Sequence, residues 1–152
     1  MTYPLIYVYL SIWNIFLVIL HRYTHKYINL LMLSIFVTVA ASIFMYIHPK
    51  YSVVYYSDPE KNHTVSGNRL TVLHILTHII PLLFITYMYG TYYTKNDNTI
   101  LNLITLCMLL FYVAIFNPLK IYNMRTDHII ISIIISVLLY AGVLSACSTL
   151  VN

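Results

Sequence analysis

Two histidines lie one helical turn apart in an apolar stretch of the sequence, and they share their spacing with three other residues. The full set is Asn68, Thr71, His74, His78 and Pro81. Steps of three and four residues place all five on one face of a helix. An imidazole titrates near neutral pH and therefore suits proton transfer and general acid–base catalysis. The spacing predicts a polar face on an otherwise apolar helix.

The simplest interpretation is that both histidines serve only helix packing. Imidazole rings hydrogen-bond to polar side chains of neighbouring helices, and each such contact contributes roughly 0.6–2 kcal/mol inside a membrane. The candidate partners are Thr38 and Ser42 on the second apolar segment, and Ser132 and Ser136 on the fifth.

The same spacing is compatible with a metal pair. Histidines four residues apart present two imidazoles on one helix face, as zinc sites require. The sequence lacks the glutamate of the His-Glu-x-x-His motif, so a third ligand would have to come from another segment. The candidates for that ligand are His48, Asp127 and His128. Because the pattern is incomplete, we expect neither a resident metal nor a cofactor.

The third interpretation is an intramembrane enzyme that acts on lipid, as a hydrolase or an acyltransferase. Here His78 and His74 are the catalytic acid–base residues. Their supporting residues are Asp127 and His128. The pattern His78-x-x-Pro81 in an apolar helix, with Asn117 ending a later one, resembles small multi-span lipid hydrolases and acyltransferases that use an intramembrane histidine. The resemblance covers a small part of the chain, and no matching nucleophile motif accompanies it.

The elements that carry these residues are predicted to lie in a membrane. The chain has 152 residues, of which 61% are hydrophobic and 8% are charged, whereas an ordinary soluble domain is about 25% charged. This composition excludes a soluble globular protein and a disordered tail. The net charge of +4 comes from scattered basic residues, so it does not indicate nucleic-acid binding.

Five apolar segments approach the length of about 20 residues that a membrane-spanning helix needs. They cover residues 5–20, 28–47, 70–89, 100–116 and 129–151. Short connections make neighbouring segments antiparallel, and residues 49–69 form the main loop outside the membrane. The sequence therefore predicts an all-α, polytopic integral membrane protein. Residues 1–152 form a single domain of about five transmembrane helices in one antiparallel bundle.

The ends of three segments carry local signals. The second segment stops at Pro49 and the fourth at Pro118, and proline disfavours helix in the residue that precedes it. Gly90 follows the third segment and is predicted to end it as a glycine cap. Tyrosines such as Tyr46, Tyr87 and Tyr122 fall near the ends, where we expect them to anchor the helices at the lipid headgroups.

Antiparallel threading brings most of the polar content to one side of the bundle. The ends of segments two and four and the starts of segments three and five share that side. It receives His48, Asp58, Glu60, His63, His74, Asn117, Asp127 and His128. Any site is therefore expected to open there. The charges do not decide which side is cytoplasmic, and the sequon at Asn62 would be used only if its loop faces a secretory lumen.

Three functions fit this organisation. The first is a structural or accessory subunit that acts through helix packing and the 49–69 loop, since small residues such as Gly142 and Ala146 let helices approach closely. The second is the lipid-acting enzyme. The third is a small oligomeric channel or transporter, in which the Asn68–His78 face lines a polar path.

The composition also predicts the partners of the protein. We expect the lipid bilayer and either other membrane subunits or further copies of the chain, and we expect no nucleic acid. The composition, with 16 tyrosines and 3 glycines, is typical of an A+T-rich genome such as that of a large DNA virus or an organelle. Cys107 and Cys147 are expected to be separate buried thiols, although a disulfide between them is geometrically possible.

Overall fold

The computed structural model describes residues 5–50, 52–92, 99–122 and 124–150, and it is mostly helical (80%). The helices are α1 (Leu10–Ile19), α2 (His21–Thr24), α3 (Leu30–Ile47), α4 (Gly67–His74), α5 (Ile80–Tyr92), α6 (Thr99–Phe116), α7 (Pro118–Ile121) and α8 (Thr126–Leu150). A π-helical turn, Ile75–Ile79, joins α4 to α5. Two short 3₁₀ turns lie at Ile6–Val8 and Pro59–Lys61.

Three helical stretches are long and apolar enough to cross a membrane. They are Leu30–Ile47, Gly67–Met88 and Thr126–Ala146. Two further apolar helices, Leu10–Ile19 and Ile100–Phe116, are shorter. All five lie within the five segments that hydropathy predicts or extend them by a few residues.

The main predicted loop contains a β-hairpin, which the expectation of a purely helical chain did not include. Strands β1 (Ser52–Val54) and β2 (His63–Val65) pair antiparallel, with Val53 opposite Thr64. The β-branched residues of these strands favour an extended backbone. At the turn, the Asp58 side chain accepts a hydrogen bond from the Glu60 backbone N–H (3.1 Å), as turn-forming aspartates commonly do.

The segment boundaries need three corrections. The first segment is broken at Tyr9, whose backbone is extended and whose hydroxyl donates to the Val53 carbonyl. Gly90 does not end the third segment, because α5 continues to Tyr92; glycine weakens a helix interior by about 1 kcal/mol but does not stop it. The fifth helix begins at Thr126, so Asp127 lies in its first turn.

Helix α3 forms the centre of the fold. Its residues Leu30, Leu31 and Leu33 are at most 1% exposed, because other helices cover it on several sides. One buried cluster joins Leu31 to Ile85 of α5, and another joins Leu33 to Tyr112 of α6. A polar contact lies between them, where Ser34 Oγ donates to Asn14 Oδ1 of α1 (2.9 Å).

One end of the bundle, here called the hairpin end, gathers residues 5–10, 44–48, 52–66 and 117–122. The Tyr55 hydroxyl donates to the Ile121 carbonyl (3.4 Å), and the Leu10 backbone N–H donates to the Tyr122 hydroxyl (3.1 Å). The rings of Phe44 and Tyr122 lie 6.2 Å apart between centroids. The start of α1, the end of α3, the hairpin and the segment after α6 therefore meet at one end.

The other end of the bundle is joined by a buried polar network, here called the Asn29 network, of Asn29, Asn102, Thr105 and Tyr140. Asn29 Nδ2 donates to Asn102 Oδ1 (2.6 Å) and to the Tyr140 hydroxyl (2.5 Å). The Asn29 backbone N–H donates to Thr105 Oγ1 (2.7 Å). Because this network links the start of α3, the start of α6 and the second half of α8, α3 and α6 run in the same direction and α8 runs opposite to both.

Candidate functional site

The histidine pair lies at an irregular point of the third helix. Pro81 has no backbone N–H and therefore cannot bond the carbonyl four residues before it. The helix widens immediately before this proline, and the Ile80 N–H donates to the Ile75 carbonyl, five residues back. Single π turns of this kind are frequent at functional sites.

His74 and His78 face each other on this widened turn. Their rings stack with centroids 4.9 Å apart and planes inclined by 28°. His78 Nδ1 lies 3.2 Å from the His74 carbonyl and 2.7 Å from Thr77 Oγ1. Because a carbonyl oxygen only accepts, the contact with the His74 carbonyl is a hydrogen bond only in the tautomer that carries the proton on Nδ1.

The polar partners predicted on the second segment are present, although one of them bonds in a different way. Thr38 Oγ1 donates to the backbone carbonyl of His78 (3.1 Å) and not to its ring. Ser42 Oγ lies 3.4 Å from His74 Nε2. Ser132 and Ser136, the partners considered on the fifth segment, instead donate to carbonyls one turn back in α8.

Ser42 also bonds within its own helix. Its hydroxyl donates to the Thr38 carbonyl (2.8 Å). While it does so, its contact with His74 Nε2 is a hydrogen bond only in the tautomer that carries the ring proton on Nε2. The Nδ1 of His74 is buried and has no hydrogen-bond partner within the described part of the chain.

A cavity of about 280 Å³ lies beside this pair, in the half of the bundle nearest the hairpin end. Both histidines line it, together with Ala40 and Ala41 of α3 and Val53 of the hairpin. The cavity thus extends from the hairpin to the level of His78. At 1.5 Å rise per residue, the eight steps from Leu70 to His78, both of which line the cavity, cover about 12 Å along the helix.

Three tyrosines, Tyr9, Tyr112 and Tyr122, line the cavity near the hairpin end. The Tyr9 hydroxyl donates to the Val53 carbonyl, and the Tyr112 hydroxyl donates to the Val8 carbonyl (2.6 Å). Tyr122, which was expected to be an interface anchor, is instead packed inward, and burial raises its pKa well above the ordinary range. By contrast, Tyr46 and Tyr87 are 88% and 70% exposed, and their role as interface anchors stays a prediction.

The structure does not bring Asp127 and His128 to the histidine pair. Asp127 is exposed and forms an ion pair with Arg125, whose Nε lies 3.2 Å from Asp127 Oδ1. The His128 Nδ1 accepts from the Arg125 backbone N–H (3.4 Å). Neither of these two residues is among the described residues that line the cavity.

The structure also shows the positions of His48, a candidate metal ligand, and of Cys107, one of the two thiols. His48 packs its ring against Phe44 at 5.2 Å. In residues 5–50, 52–92, 99–122 and 124–150, no group of three or more histidine, cysteine, aspartate or glutamate side chains could hold a metal ion. Cys107 is a free thiol and is exposed on α6, so the expectation that it would be buried was wrong.

Two features of the structure could not be predicted from the sequence. The Asn29 network was not predicted, since its members are far apart in sequence and single polar residues in apolar segments carry no partner information. The sequence predicted the side of the bundle on which a site would open, but not the cavity itself. The pair Ala40-Ala41 was the signal for it, because two small residues in a segment otherwise rich in large side chains leave space between helices.

No protein-family model, no curated protein and no solved structure matches this chain.

Proposed function

We propose that the chain is an integral membrane protein whose five apolar helices cross the bilayer in alternating directions. The hydrogen bond between Tyr55 and Ile121 carries this proposal. If only the three longest helices crossed, the hairpin and the segment after α6 would lie on opposite sides of the membrane. Crossing by α6 as well places both on the same side, as their contact requires, and the bond from the Tyr9 hydroxyl to the Val53 carbonyl supports a start of α1 on that side too.

Labelling of single cysteines from one side of the membrane tests this topology. In a variant whose natural cysteines are both replaced by serine, we expect Glu60→Cys and Lys120→Cys to react with a membrane-impermeant maleimide from the same side. Arg22→Cys should react only from the opposite side. All three native side chains are exposed, so each thiol is accessible to the reagent.

The same reaction after detergent permeabilisation is the control, because all three thiols must then be labelled equally. Labelling of Glu60→Cys and Lys120→Cys from opposite sides would contradict the five-helix topology and support three crossings. Release of the protein from membranes at alkaline pH would contradict membrane integration altogether.

Within that membrane we assign the chain a structural or accessory role that acts through helix packing. Helix α8 supports this role, since only 11% of its apolar span is buried inside the chain. On the same helix Gly142 is exposed, and no described atom lies within 4 Å of the position that a Cβ would occupy. A small residue on an uncovered face lets a second helix approach closely.

The accessory role predicts an assembly that depends on Gly142. In particles extracted with native lipid, we expect the wild-type chain to be part of a complex larger than a monomer. Gly142→Leu should shift it to the monomer, because leucine blocks close helix approach. The measurement is the mass distribution by size-exclusion chromatography with light scattering.

The matched control is Ala114→Leu, which places the same side chain on the exposed surface of α6. It should leave the assembly unchanged, and both variants should keep the wild-type melting temperature. A monomeric wild-type chain in native lipid would contradict the accessory role.

A lipid-acting enzyme is the second candidate, and the cavity that extends from the hairpin to His78 favours it. An acid–base histidine needs a group that orients it or a nucleophile that it activates. Among the described residues that line the cavity there is no aspartate, glutamate or cysteine. The hydroxyl beside His78, that of Thr77, donates to the Leu73 carbonyl (2.7 Å) and not to the His78 ring. The accessory role therefore ranks first.

The third candidate, a channel or transporter, rests on the Asn68–His78 face. Asn68 and Thr71 are exposed on α4, away from the cavity lining. A polar path along this face would have to run between chains of an oligomer, so this candidate also depends on the assembly measured above.

A further inference from the structure

The β-hairpin lies across the end of the cavity that is farthest from His78. Val53 and Val54 of β1 line the cavity, and both are half-buried. Tyr9, which bonds to this strand, lines the cavity as well. The hairpin joins α3 to α4 outside the apolar spans, so it separates the cavity from water at this end of the bundle.

The hydroxyl of Tyr9 is a hydrogen-bond partner for the backbone of β1 and the residue that follows it. The hydroxyl donates its single proton to the Val53 carbonyl and accepts from the Tyr55 backbone N–H (3.3 Å). Next to it, the Leu5 backbone N–H donates to the Tyr55 carbonyl (2.8 Å). Without such partners these would be the open polar groups of an edge strand. The start of the chain therefore holds the hairpin from the side of β1.

The hairpin has little stability of its own. Each of its strands has three residues, and an isolated two-stranded hairpin is at best marginally stable in water. Residues 59–64, at and after its turn, are exposed. Segments with few buried contacts open at a lower free energy than the packed core. The position of the hairpin therefore depends strongly on its bonds to the bundle, and the Tyr9 hydroxyl makes two of them.

Gly67 joins the hairpin to α4 and has the properties of a hinge. Its φ of 58° lies in the left-handed region, which glycine adopts readily. No described atom lies within 4 Å of the position that a Cβ would occupy. Hinges are a few residues at the ends of elements that absorb changes in φ and ψ, and they are often small. The hairpin therefore has room to turn about Gly67 while α4 stays in place.

We propose that the hairpin, residues 52–66, is a lid over the cavity and that the Tyr9 hydroxyl holds this lid closed. In the closed state Val53 and Val54 separate the histidine pair from the water at the hairpin end. When the hydroxyl releases Val53 and Tyr55, the hairpin turns about Gly67 and the cavity opens to water. The inference rests on the folded bundle and not on the accessory role, so either can fail without the other.

The reaction rate of a thiol on the cavity wall measures the opening of the lid. The reporter is Val37→Cys, in a chain whose natural cysteines are replaced by serine, because Val37 lines the cavity and is 4% exposed. The protein in native-lipid particles is treated with a charged methanethiosulfonate, whose charge keeps it out of the lipid. We expect Tyr9→Phe to raise the rate by about tenfold, the effect of one to two net hydrogen bonds. The phenyl ring fills the same space but cannot bond the hairpin.

The matched control is Tyr140→Phe at the other end of the bundle. The Tyr140 hydroxyl also has two hydrogen bonds, from Asn29 Nδ2 (2.5 Å) and to Asn102 Oδ1 (3.3 Å), and neither involves the hairpin. This variant should leave the thiol reaction rate unchanged. Amide hydrogen exchange is a second measurement, because in Tyr9→Phe it should become faster in residues 52–55 and 63–65 but not in α3.

Three results would overturn the lid. The first is an equal thiol reaction rate with and without the Tyr9 hydroxyl. The second is an equal rise of that rate in Tyr9→Phe and Tyr140→Phe, which would indicate a general loss of stability. The third is faster exchange throughout α3 in Tyr9→Phe. The melting temperature shows whether the reporter chain is folded, and Ala41→Cys on the same wall replaces Val37→Cys if it is not.

Discussion

Tyr112→Ala should lower the free energy of unfolding by about 3–5 kcal/mol, the usual range for truncation of a large buried aromatic residue. Tyr112 is the largest fully buried side chain and is 1% exposed. Its ring contacts Trp13 and Phe116 at centroid distances of 5.5 and 5.3 Å. Truncation would leave a void where α1 and α6 meet, and it would also remove the donor of the Val8 carbonyl.

Unfolding of the purified protein by a denaturing detergent, followed by circular dichroism, measures this change. Tyr112→Phe keeps the ring and removes only the hydroxyl, so a loss of about 1 kcal/mol is expected. The control is Tyr46→Ala on α3, since Tyr46 is 88% exposed and such surface changes stay within about 0.5 kcal/mol. If Tyr112→Ala and Tyr46→Ala unfold alike, the packing of α6 against α1 described above is wrong.

Asn29→Ala should lower the free energy of unfolding by about 2–3 kcal/mol, because it removes two functions at once. Asn29 Oδ1 accepts from the Met32 N–H (3.0 Å) and so caps α3. Its Nδ2 joins Asn102 of α6 to Tyr140 of α8. The single tryptophan, Trp13, lies outside this network and reports unfolding by its fluorescence.

One further variant separates the helix cap from the amide contacts, and a second variant is the control. Asn29→Ser keeps a hydroxyl that caps the helix, so it should lose only the part that depends on the amide. Asn68→Ala removes an exposed asparagine from the first turn of α4 and should change the stability by less than about 0.5 kcal/mol. An equal effect of Asn29→Ala and Asn68→Ala would show that the Asn29 network does not stabilise the fold.

The positions of the helices could be predicted because each is a long apolar run with local end signals. Asn117 is an example, since it precedes Pro118, adopts a positive φ of 45° and ends α6 as expected. The helical turn that carries His74 and His78 was predicted for the same reason. The sharing of one end by the hairpin and residues 117–122 follows from antiparallel threading alone.

The remaining features depend on contacts between distant parts of the chain. Tyr9 breaks the first segment because its hydroxyl is held by the hairpin, 44 residues away. The contacts of the His74 and His78 rings depend on Ser42 and on a backbone carbonyl. Apolar periodicity contains no information on such pairs, because any polar residue at a similar depth could be the partner.

In the proposed five-helix topology, the shortness of α1 has a consequence for the lipid around the protein. Its ten residues, Leu10–Ile19, rise about 15 Å at 1.5 Å per residue, whereas the hydrocarbon core of a bilayer is about 30 Å thick. Hydrophobic mismatch of this kind is relieved by local thinning of the bilayer or by a preference for thin membranes. We therefore expect the acyl chains next to α1 to be compressed, which makes this side of the bundle the one most sensitive to membrane thickness.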